Sequence, residues 1–417
     1  MTDSPVRRKH TGRQRAFLFF NLGLAAVTIL AGSGLLYANW KLGNRQVVTI
    51  DTAAQGDGSL DLPEGDRTAK NFLITGSDNN ACISKDSPFY GGFSNRSGYG
   101  ERSDSLMVVR VNPIDNQAAI LSFPRDMWVK QAGSNRSNRI NANFEKKNPN
   151  RLIRNIKENF GITIDHYINI DFCAFAAIVD AVGGVRVPFT YKAQDYKTGF
   201  KVLRARVCYT FQGDHALAYM RSRHYRWFNP KTMQWTTDGT SDWGRISRQQ
   251  DFMKRIIRKA LEKAKTNPRV ASGILNAALK NIITDDNLTP LTVLQLGQAM
   301  KNFDTETMGS YTMPGTGQLI DNMSVIVPDL ESATSKKILA VFQGKASLKT
   351  TIVGAKPATD AAVTTTTLAA IATTTTVGRS TPTTRAPSSS TTTTVPSVAI
   401  EQSTRGVVPP NDPNCQY

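Results

Sequence analysis

The segment SLMVVRVNPIDNQAAILSF, residues 105–123, contains two short apolar runs, SLMVVRV at 105–111 and AAILSF at 118–123. Runs of this length, rich in Val, Ile and Leu, are typical of buried β-strands. Two further strands and three helices are predicted from the same kind of pattern, at 71–75, 166–170, 150–160, 175–182 and 242–265. The chain is therefore predicted to be an α/β protein with a central mixed β-sheet flanked by helices.

The composition of the chain predicts a polyanionic binding partner but does not identify its chemical class. The 417 residues are 40% hydrophobic, which is enough for a sizeable core. The net charge of +18 and the pI near 9.8 predict attraction to polyanions such as nucleic acid, anionic lipid or anionic polysaccharide.

One uncharged stretch, AFLFFNLGLAAVTILAGSGLLYA at 16–38, indicates where the chain resides. As a helix it would span about 34 Å, enough for a hydrocarbon core of about 30 Å. Five basic residues precede it and two follow it closely, which predicts a single-pass membrane protein with its N-terminus, residues 1–15, in the cytoplasm. A cleaved signal peptide is the alternative. An extracytoplasmic domain makes nucleic acid an unsuitable partner, and the 15-residue tail contains no recognition helix.

Composition also divides the exported part. Residues 39–68 are polar and rich in Gly and Asp, and are predicted to be a stalk. Residues 69–345 carry the α/β pattern and are predicted to form one domain. The Thr/Ser/Pro-rich residues 346–417 are predicted to be a disordered tail.

Polar residues collect beside the predicted strands, where α/β folds place their ligands. Asp78 follows the first strand, Arg102 and Asp104 precede the second, and Arg125 follows the third. Two later segments, ALAYMRSRHYR and DWGRISRQQ, add four more candidates: Arg221, Arg223, Arg245 and Gln249.

Arginine forks bind phosphate oxygens in pairs and keep their charge, which suits a pyrophosphate. Aspartates among them suit Mg²⁺, which takes one or two carboxylates together with substrate phosphates. Gln249 lies four residues after Arg245 and should share its helix face. Each residue alone also fits an ion pair or an ordinary surface position, so the prediction depends on the segments converging.

Read in order, seven blocks resemble the LytR-CpsA-Psr (LCP) family. They cover residues 70–265, with a continuation to about Pro314, and read NFLITGSD, ERSDSLMVVRVNP, AAILSFPRDMWV, RINANF, GITIDHYINIDFCAFAAIVDAVGGVRV, GDHALAYMRSRH and DWGRISRQQDF. Arg139 in RINANF stands where the family commonly has lysine, so its part in phosphate contact stays open.

The resemblance implies a phosphotransferase that moves a glycopolymer from a polyprenyl-pyrophosphate carrier to peptidoglycan through a phosphodiester. It implies that Asp78 and Asp104 hold Mg²⁺, with Mn²⁺ as the alternative ion. It also implies a set of pyrophosphate contacts: Arg125, Arg221, Arg223, Arg245 and Gln249. Arg102, which precedes the second strand, is predicted to contact the pyrophosphate as well. Asp104 is a candidate general base and Asp242 a weaker one.

Two other functions fit the same residues: a pyrophosphatase with water as acceptor, and a non-catalytic envelope regulator or polymer-binding protein. The sequence does not identify the polymer or the oligomeric state. Four cysteines in an oxidising compartment allow three pairings. Cys173–Cys208 is expected first, with Cys82 paired to Cys415 or free; all four being free is the alternative.

Overall fold

The computed structural model describes residues 46–50, 69–78, 82–90, 103–266, 282–300, 302–348, 396–402 and 404–415. Arg102 lies outside them, and for Asp104 only the backbone is described. The strands are β1 (Gln46–Val48), β2 (Lys70–Ser77), β3 (Ser103–Asn112), β4 (Gln117–Phe123), β5 (Trp128–Lys130), β6 (Ser137–Arg139), β7 (His166–Asp171), β8 (Val185–Phe189), β9 (Ala193–Asp195), β10 (Phe200–Val202), β11 (Val207–Phe211), β12 (Arg226–Asn229), β13 (Gln234–Thr237), β14 (Ile282–Asp285), β15 (Gly309–Thr312), β16 (Gly315–Ile320), β17 (Met323–Pro328), β18 (Ser347–Leu348) and β19 (Ser397–Val398). The α-helices are α1 (Asn150–Phe160), α2 (Phe172–Ala181), α3 (Gly213–Met220), α4 (Asp242–Thr266), α5 (Pro290–Ala299) and α6 (Ala333–Phe342).

Seven strands form one mixed sheet in the order β1-β14-β7-β2-β3-β4-β15. β2 runs parallel to β7 and antiparallel to β3, and β4 is antiparallel to β3 and parallel to β15. The C-terminal ends of β2, β4, β7 and β15 therefore meet at the same end of the sheet as the N-terminal end of β3. This arrangement confirms the predicted mixed α/β fold.

Side-chain alternation gives the sheet two apolar faces, because successive residues of a strand point to opposite sides. On one face Leu73, Val108 and Leu121 pack in a cluster that also contains buried residues of α1 and α6. On the other face Phe72 and Ile120 belong to a cluster against which α4 packs. Helices therefore cover both faces, and α4 lies on the second one.

A second apolar cluster lies beyond α4 and is built from β8–β12, α2 and α3. Its β9, β10, β12 and β13 form a four-stranded sheet in the order β10-β9-β12-β13, and β8 pairs with β11. Phe252 and Ile256 of α4 are buried in this cluster, while Met253 and Ile257 pack towards the large sheet. The helix thus connects the two cores through two of its faces.

The predicted cysteine pairing is wrong. Cys82 is bonded to Cys173 and Cys208 to Cys415, with Cα–Cα distances of 5.6 and 5.5 Å. The first bond attaches loop 82–90 to α2, and Ile83 of that loop is buried against the same helix. The second attaches the C-terminal segment to β11. The prediction assumed that two cysteines in neighbouring core elements would pair. Each observed bond instead joins an irregular segment to a helix or a strand, and the position of an irregular segment is not evident from the sequence.

Two boundary predictions also need correction. Residues 46–50, predicted as stalk, include β1, and Val48 and Ile50 are buried in the core. Within the predicted disordered tail, β19 pairs with β18, Ile400 is buried, and Cys415 is 1% exposed. Apolar side chains at a few positions stabilise these segments although their average composition is polar.

Among the described residues, no helix combines the length and apolar composition needed to cross a bilayer. The membrane span predicted at 16–38 and the cytoplasmic tail at 1–15 lie outside the described residues.

Candidate functional site

Three of the predicted site residues lie at one end of the seven-stranded sheet. Asp78 directly follows β2, Asp104 is the second residue of β3, and Arg125 comes two residues after β4. The strand directions bring these backbone positions to the same end, as the sequence analysis expected. Asp171, which ends β7, lies there as well.

A β-bulge at this end singles out Asp104. Gly76 pairs with Ser105 and Ser77 pairs with Ser103, so Asp104 is an extra residue on β3 with no direct partner on β2. Bulges re-aim the chain and are common beside active sites. The backbone of one predicted metal ligand is therefore adjacent to the end of β2, which leads to the other, Asp78.

A pocket of about 80 Å³ lies between this end of the sheet and helices α2, α3 and α4. Its polar lining includes Arg221, Arg245 and Gln249. Its apolar lining includes Ile74, Met107, Phe175, Leu217, Met220 and Met253. Along α4 the lining changes from Arg245 and Gln249 in the first turns to Met253 further along. The pocket therefore joins a cationic region to an apolar one.

Asp242 holds two of the predicted arginines together. Its Oδ1 lies 2.9 Å from Nη2 of Arg245 and 3.2 Å from Nε of Arg223. Arg245 is almost fully buried, while the side chains of Asp242 and Arg223 are about a quarter exposed. A carboxylate oxygen engaged with two guanidinium groups suits positioning better than proton transfer, so the structure disfavours Asp242 as the general base.

Arg221 is positioned differently. It follows α3 directly, and its guanidinium carbon lies 4.9 Å from the ring centroid of Phe172, a cation–π distance. Phe172 is the first residue of α2, whose N-cap Asp171 accepts a hydrogen bond from the backbone N–H of Ala174 at 2.8 Å. Three guanidinium groups and two carboxylates thus lie in or beside the pocket.

Arg125 belongs to a neighbouring cluster and does not line the pocket. Its Nε lies 3.4 Å from Oδ2 of Asp126, and Nε of Arg139 lies 3.4 Å from Oδ1 of the same carboxylate. Arg139 also donates to the carbonyl of Ser324 at 2.8 Å. The arginine at the family's lysine position is therefore placed beside Arg125.

The other polar side chains of DWGRISRQQ belong to the scaffold. Arg248 is paired with Asp238 at 2.7 Å and donates to the carbonyl of Ser222 at 2.9 Å. Gln250 donates to Ser122 Oγ and to the carbonyl of Tyr311, at 2.9 and 2.7 Å. These bonds connect α4 to the surrounding core.

At the start of α4, the backbone N–H groups of Trp243 and Arg245 donate to the carbonyls of Thr240 and Ser241. These two N–H groups are therefore engaged within the chain.

The predicted metal ligands fit Mg²⁺ by their chemistry. Two carboxylates that follow and begin adjacent strands match an ion that takes one or two carboxylates and keeps phosphate and water oxygens. Within the part of the chain whose side chains are described, no group of three or more His, Cys, Asp or Glu forms a metal site.

The sequence analysis missed the residues that organise the arginines. Asp126 contacts Arg125, Phe172 contacts Arg221, and Asp171 lines the pocket. Asp171 carried a signal, because an Asp between a strand and a helix is a typical N-cap. Nothing in the local sequence indicated that Phe172 would contact Arg221, which lies 49 residues later.

With this geometry in view, the chain can be compared with known proteins. Residues 40–340 match the model of the LytR_cpsA_psr family. The chain belongs to this family. A polyisoprenyl-teichoic acid–peptidoglycan teichoic acid transferase of Bacillus cereus is 26% identical over 307 residues, which is 73% of this chain and 89% of the relative. The corresponding transferase of Halalkalibacterium halodurans is 28% identical over 235 residues, 56% of this chain and 70% of the relative.

The fold is also that of solved family structures. An LCP enzyme from Actinomyces oris superposes with a TM-score of 0.52 at 20% identity, covering 72% of this chain and 96% of the other. Residues 396–415 lie beyond the stretch matched by the LCP model. The C-terminal segment is thus an addition to the family domain.

Proposed function

We propose that this LCP protein is a phosphotransferase that moves a glycopolymer from a polyprenyl-pyrophosphate carrier to peptidoglycan. The observation that carries the proposal is the pocket whose lining changes from Arg221, Arg245 and Gln249 to apolar side chains. A lipid-linked pyrophosphate has the same two parts, an anion and an apolar chain. The pocket volume suits a short length of that chain next to the pyrophosphate, so a whole prenyl tail would extend beyond it.

The position of β1 in the sheet supports a site close to a membrane. β1 runs parallel to β14, which is antiparallel to β7, so Gln46 lies at the site end of the sheet. If residues 16–38 are the anchor, seven residues lie between its last residue and Gln46, and the eight steps from Ala38 to Gln46 span at most about 28 Å when extended. The site would then face the lipid carrier from the extracytoplasmic side.

The reaction is an in-line displacement at phosphorus. A hydroxyl oxygen of the acceptor forms a bond to the phosphorus that bears the glycan, and the bond from that phosphorus to the bridging oxygen breaks. The electron pair leaves with polyprenyl phosphate, and the glycan is left in a phosphodiester. Arg221, Arg223 and Arg245 stabilise the charge that develops on the phosphate oxygens. The acceptor proton passes to a base in the same step. Asp104 is one candidate, but a carboxylate that holds a metal ion is a poor base, so the identity of the base stays open.

Arg125 and Arg102 complete the proposed anion contacts, and Asp78 and Asp104 would hold Mg²⁺, with Mn²⁺ as the alternative. When bound, the ion supplies positive charge that offsets the charge of the pyrophosphate.

A transfer assay tests the proposal. The full chain in detergent is mixed with a labelled polyprenyl-pyrophosphoryl glycan, peptidoglycan fragments and Mg²⁺, beside Arg245→Ala, Arg245→Lys and a chelator control. We expect label on peptidoglycan, strong loss in both variants, and loss with chelator that Mg²⁺ restores. Release of glycan phosphate without transfer would identify a pyrophosphatase instead. Donor binding without turnover would favour the regulator or polymer-binding alternative.

A further inference from the structure

The four-stranded sheet β10-β9-β12-β13 carries different kinds of side chain on its two faces. Ala193, Phe200, Val202 and Trp227 alternate inwards to the apolar cluster beneath. The residues that alternate with these along each strand point to the outer face of the sheet. The aromatic-basic face, as we name it, consists of Lys192, Gln194, Lys201, Arg226, Phe228 and Trp235.

This face has aromatic rings beside unpaired cations. The ring centroids of Phe228 and Trp235 are 5.7 Å apart, and Nζ of Lys192 lies 5.6 Å from the centroid of Phe228. Neither Lys192, Lys201 nor Arg226 forms an ion pair within the described part of the chain. Nε of Arg226 is buried and has no hydrogen-bond partner among the described residues.

The strands of the sheet contribute no carboxylate to the aromatic-basic face. The acidic residue of β9, Asp195, is fully buried on the opposite side, where it accepts hydrogen bonds from Ser222 Oγ and the backbone N–H of His224 at 2.8 and 2.9 Å. The cations on the outside therefore lack a counter-charge from their own sheet. Charge complementarity predicts an anionic partner.

The face is connected to the catalytic end of the molecule through its hairpin. β12 and β13 lie between Arg223 and Asp242, and the ion pair of these two residues joins the two chain segments at the base of the hairpin. The chain thus runs from Arg221 at the pocket, through Arg223 and Arg226, to Phe228 on the outer face of the sheet. The apolar pocket takes up one side of the site, so a second reactant has to approach from another.

We propose that the aromatic-basic face binds the glycan strand of peptidoglycan that serves as acceptor. This inference rests on the proposed function, which makes peptidoglycan the acceptor. Sugar rings stack on aromatic side chains through their C–H faces, Gln194 offers hydrogen bonds to hydroxyl groups, and the cations match the carboxylates of the stem peptides. Phe228 and Trp235 are partly buried in the strands, as suits stacking on a sugar ring, whereas the exposed apolar side chains of this region, Leu203 and Met233, lie just outside the strands.

Direct binding of soluble peptidoglycan strands to the full chain in detergent tests the proposal without any donor. We expect Trp235→Ala and Lys201→Glu each to weaken the Kd about tenfold. Trp235→Phe should restore most of the affinity. Lys337→Glu is the matched charge control, because Lys337 is exposed on α6, on the other face of the large sheet. Strands without stem peptides should remain sensitive to Trp235→Ala but not to Lys201→Glu.

Two results would overturn the proposal. One is an unchanged Kd for strands in both variants. The other is loss of binding to anionic lipid vesicles in the variants while strand binding persists, which would make the face a membrane-contact surface. If the wild-type chain binds strands through this face but transfers no glycan, the proposed transfer reaction is wrong and the proposed binding surface stands. Melting temperatures check that the variants fold.

Discussion

In the first turns of α4, buried polar side chains of the same residue types differ in what they contact. Arg245 and Gln249 line the pocket, and Arg245 shares Asp242 with Arg223. Arg248 and Gln250, on the same helix and equally buried, are engaged by the surrounding core. The difference teaches that burial and residue type do not separate a site residue from a structural one. The contacts of each side chain do.

The largest effect on stability is expected from Arg248→Ala. The substitution leaves the buried carboxylate of Asp238 without its 2.7 Å partner and removes a guanidinium that lies 4.5 Å from the ring centroid of Tyr225. Removing one member of a buried pair typically costs about 3–5 kcal/mol of the free energy of unfolding. Chemical denaturation measures the loss. A variant as stable as the wild type would show that Arg248 is not part of the scaffold.

Arg245→Ala should lower the transfer activity strongly and the stability only slightly, the opposite of Arg248→Ala. We expect kcat/KM for transfer to fall about a hundredfold or more, because one charged donor to the developing phosphate charge is lost. The free energy of unfolding should change less than in Arg248→Ala. Arg245→Lys retains the charge without the planar fork and should recover only part of the rate. If Arg245→Ala lost no more kcat/KM than Arg248→Ala, with both corrected for the fraction of folded protein, Arg245 would have no special role at the site.

The two glutamines repeat the comparison on a smaller scale. Gln250→Ala removes two buried hydrogen bonds and should destabilise the fold by about 1–3 kcal/mol. Gln249→Glu adds negative charge beside the anion site and also removes the hydrogen bond that Gln249 Nε2 donates to the carbonyl of Met220 at 3.1 Å, so donor affinity should fall. Thermal melting and donor binding are measured for both variants. Equal effects of the two substitutions on donor binding would contradict the assignment of Gln250 to the scaffold.

The smallest effect is expected from acid. Burial raises the pKa of Asp238, but the hydrogen bonds from Thr240 and the charge of Arg248 outweigh it and hold the pKa below its ordinary value of 3.8. A carboxyl group with a lowered folded-state pKa contributes stability that is complete above 3.8 and is lost as the pH falls through the folded-state pKa. Melting below pH 4 should therefore depend less on pH in Asp238→Asn than in the wild type.

Much of the fold could be predicted because its elements have strong local patterns. The helix predicted at 150–160 matches α1 at both ends, and Leu152, Ile153, Ile156 and Phe160 on its buried side have helical spacing. The strands predicted at 71–75 and 118–123 differ from β2 and β4 by one or two residues at an end. Apolar runs of this kind leave few alternatives to a buried strand.

The rest depends on long-range contacts. β1 pairs with β14, more than 230 residues later, and nothing around Gln46 marks it as a strand of the central sheet. Cys415 reaches Cys208 across a separation of 207 residues. The segment before Cys415 also packs on α4, where the guanidinium of Arg405 lies 4.2 Å from the ring centroid of Trp243. The average composition of residues 346–417 is polar and predicts a disordered tail, because it does not reflect the few residues that contact the domain.

By itself, the sequence determined the α/β class, the positions of the main strands and helices, the family, and the shared helix face of Arg245 and Gln249. These properties follow from periodicity and from the order of motifs along the chain. Only the tertiary structure decided which arginines border the pocket, which carboxylates orient them, how the cysteines pair, and where cations remain without counter-charges. Each of these depends on the distance between groups far apart in the chain, which packing of the whole core sets.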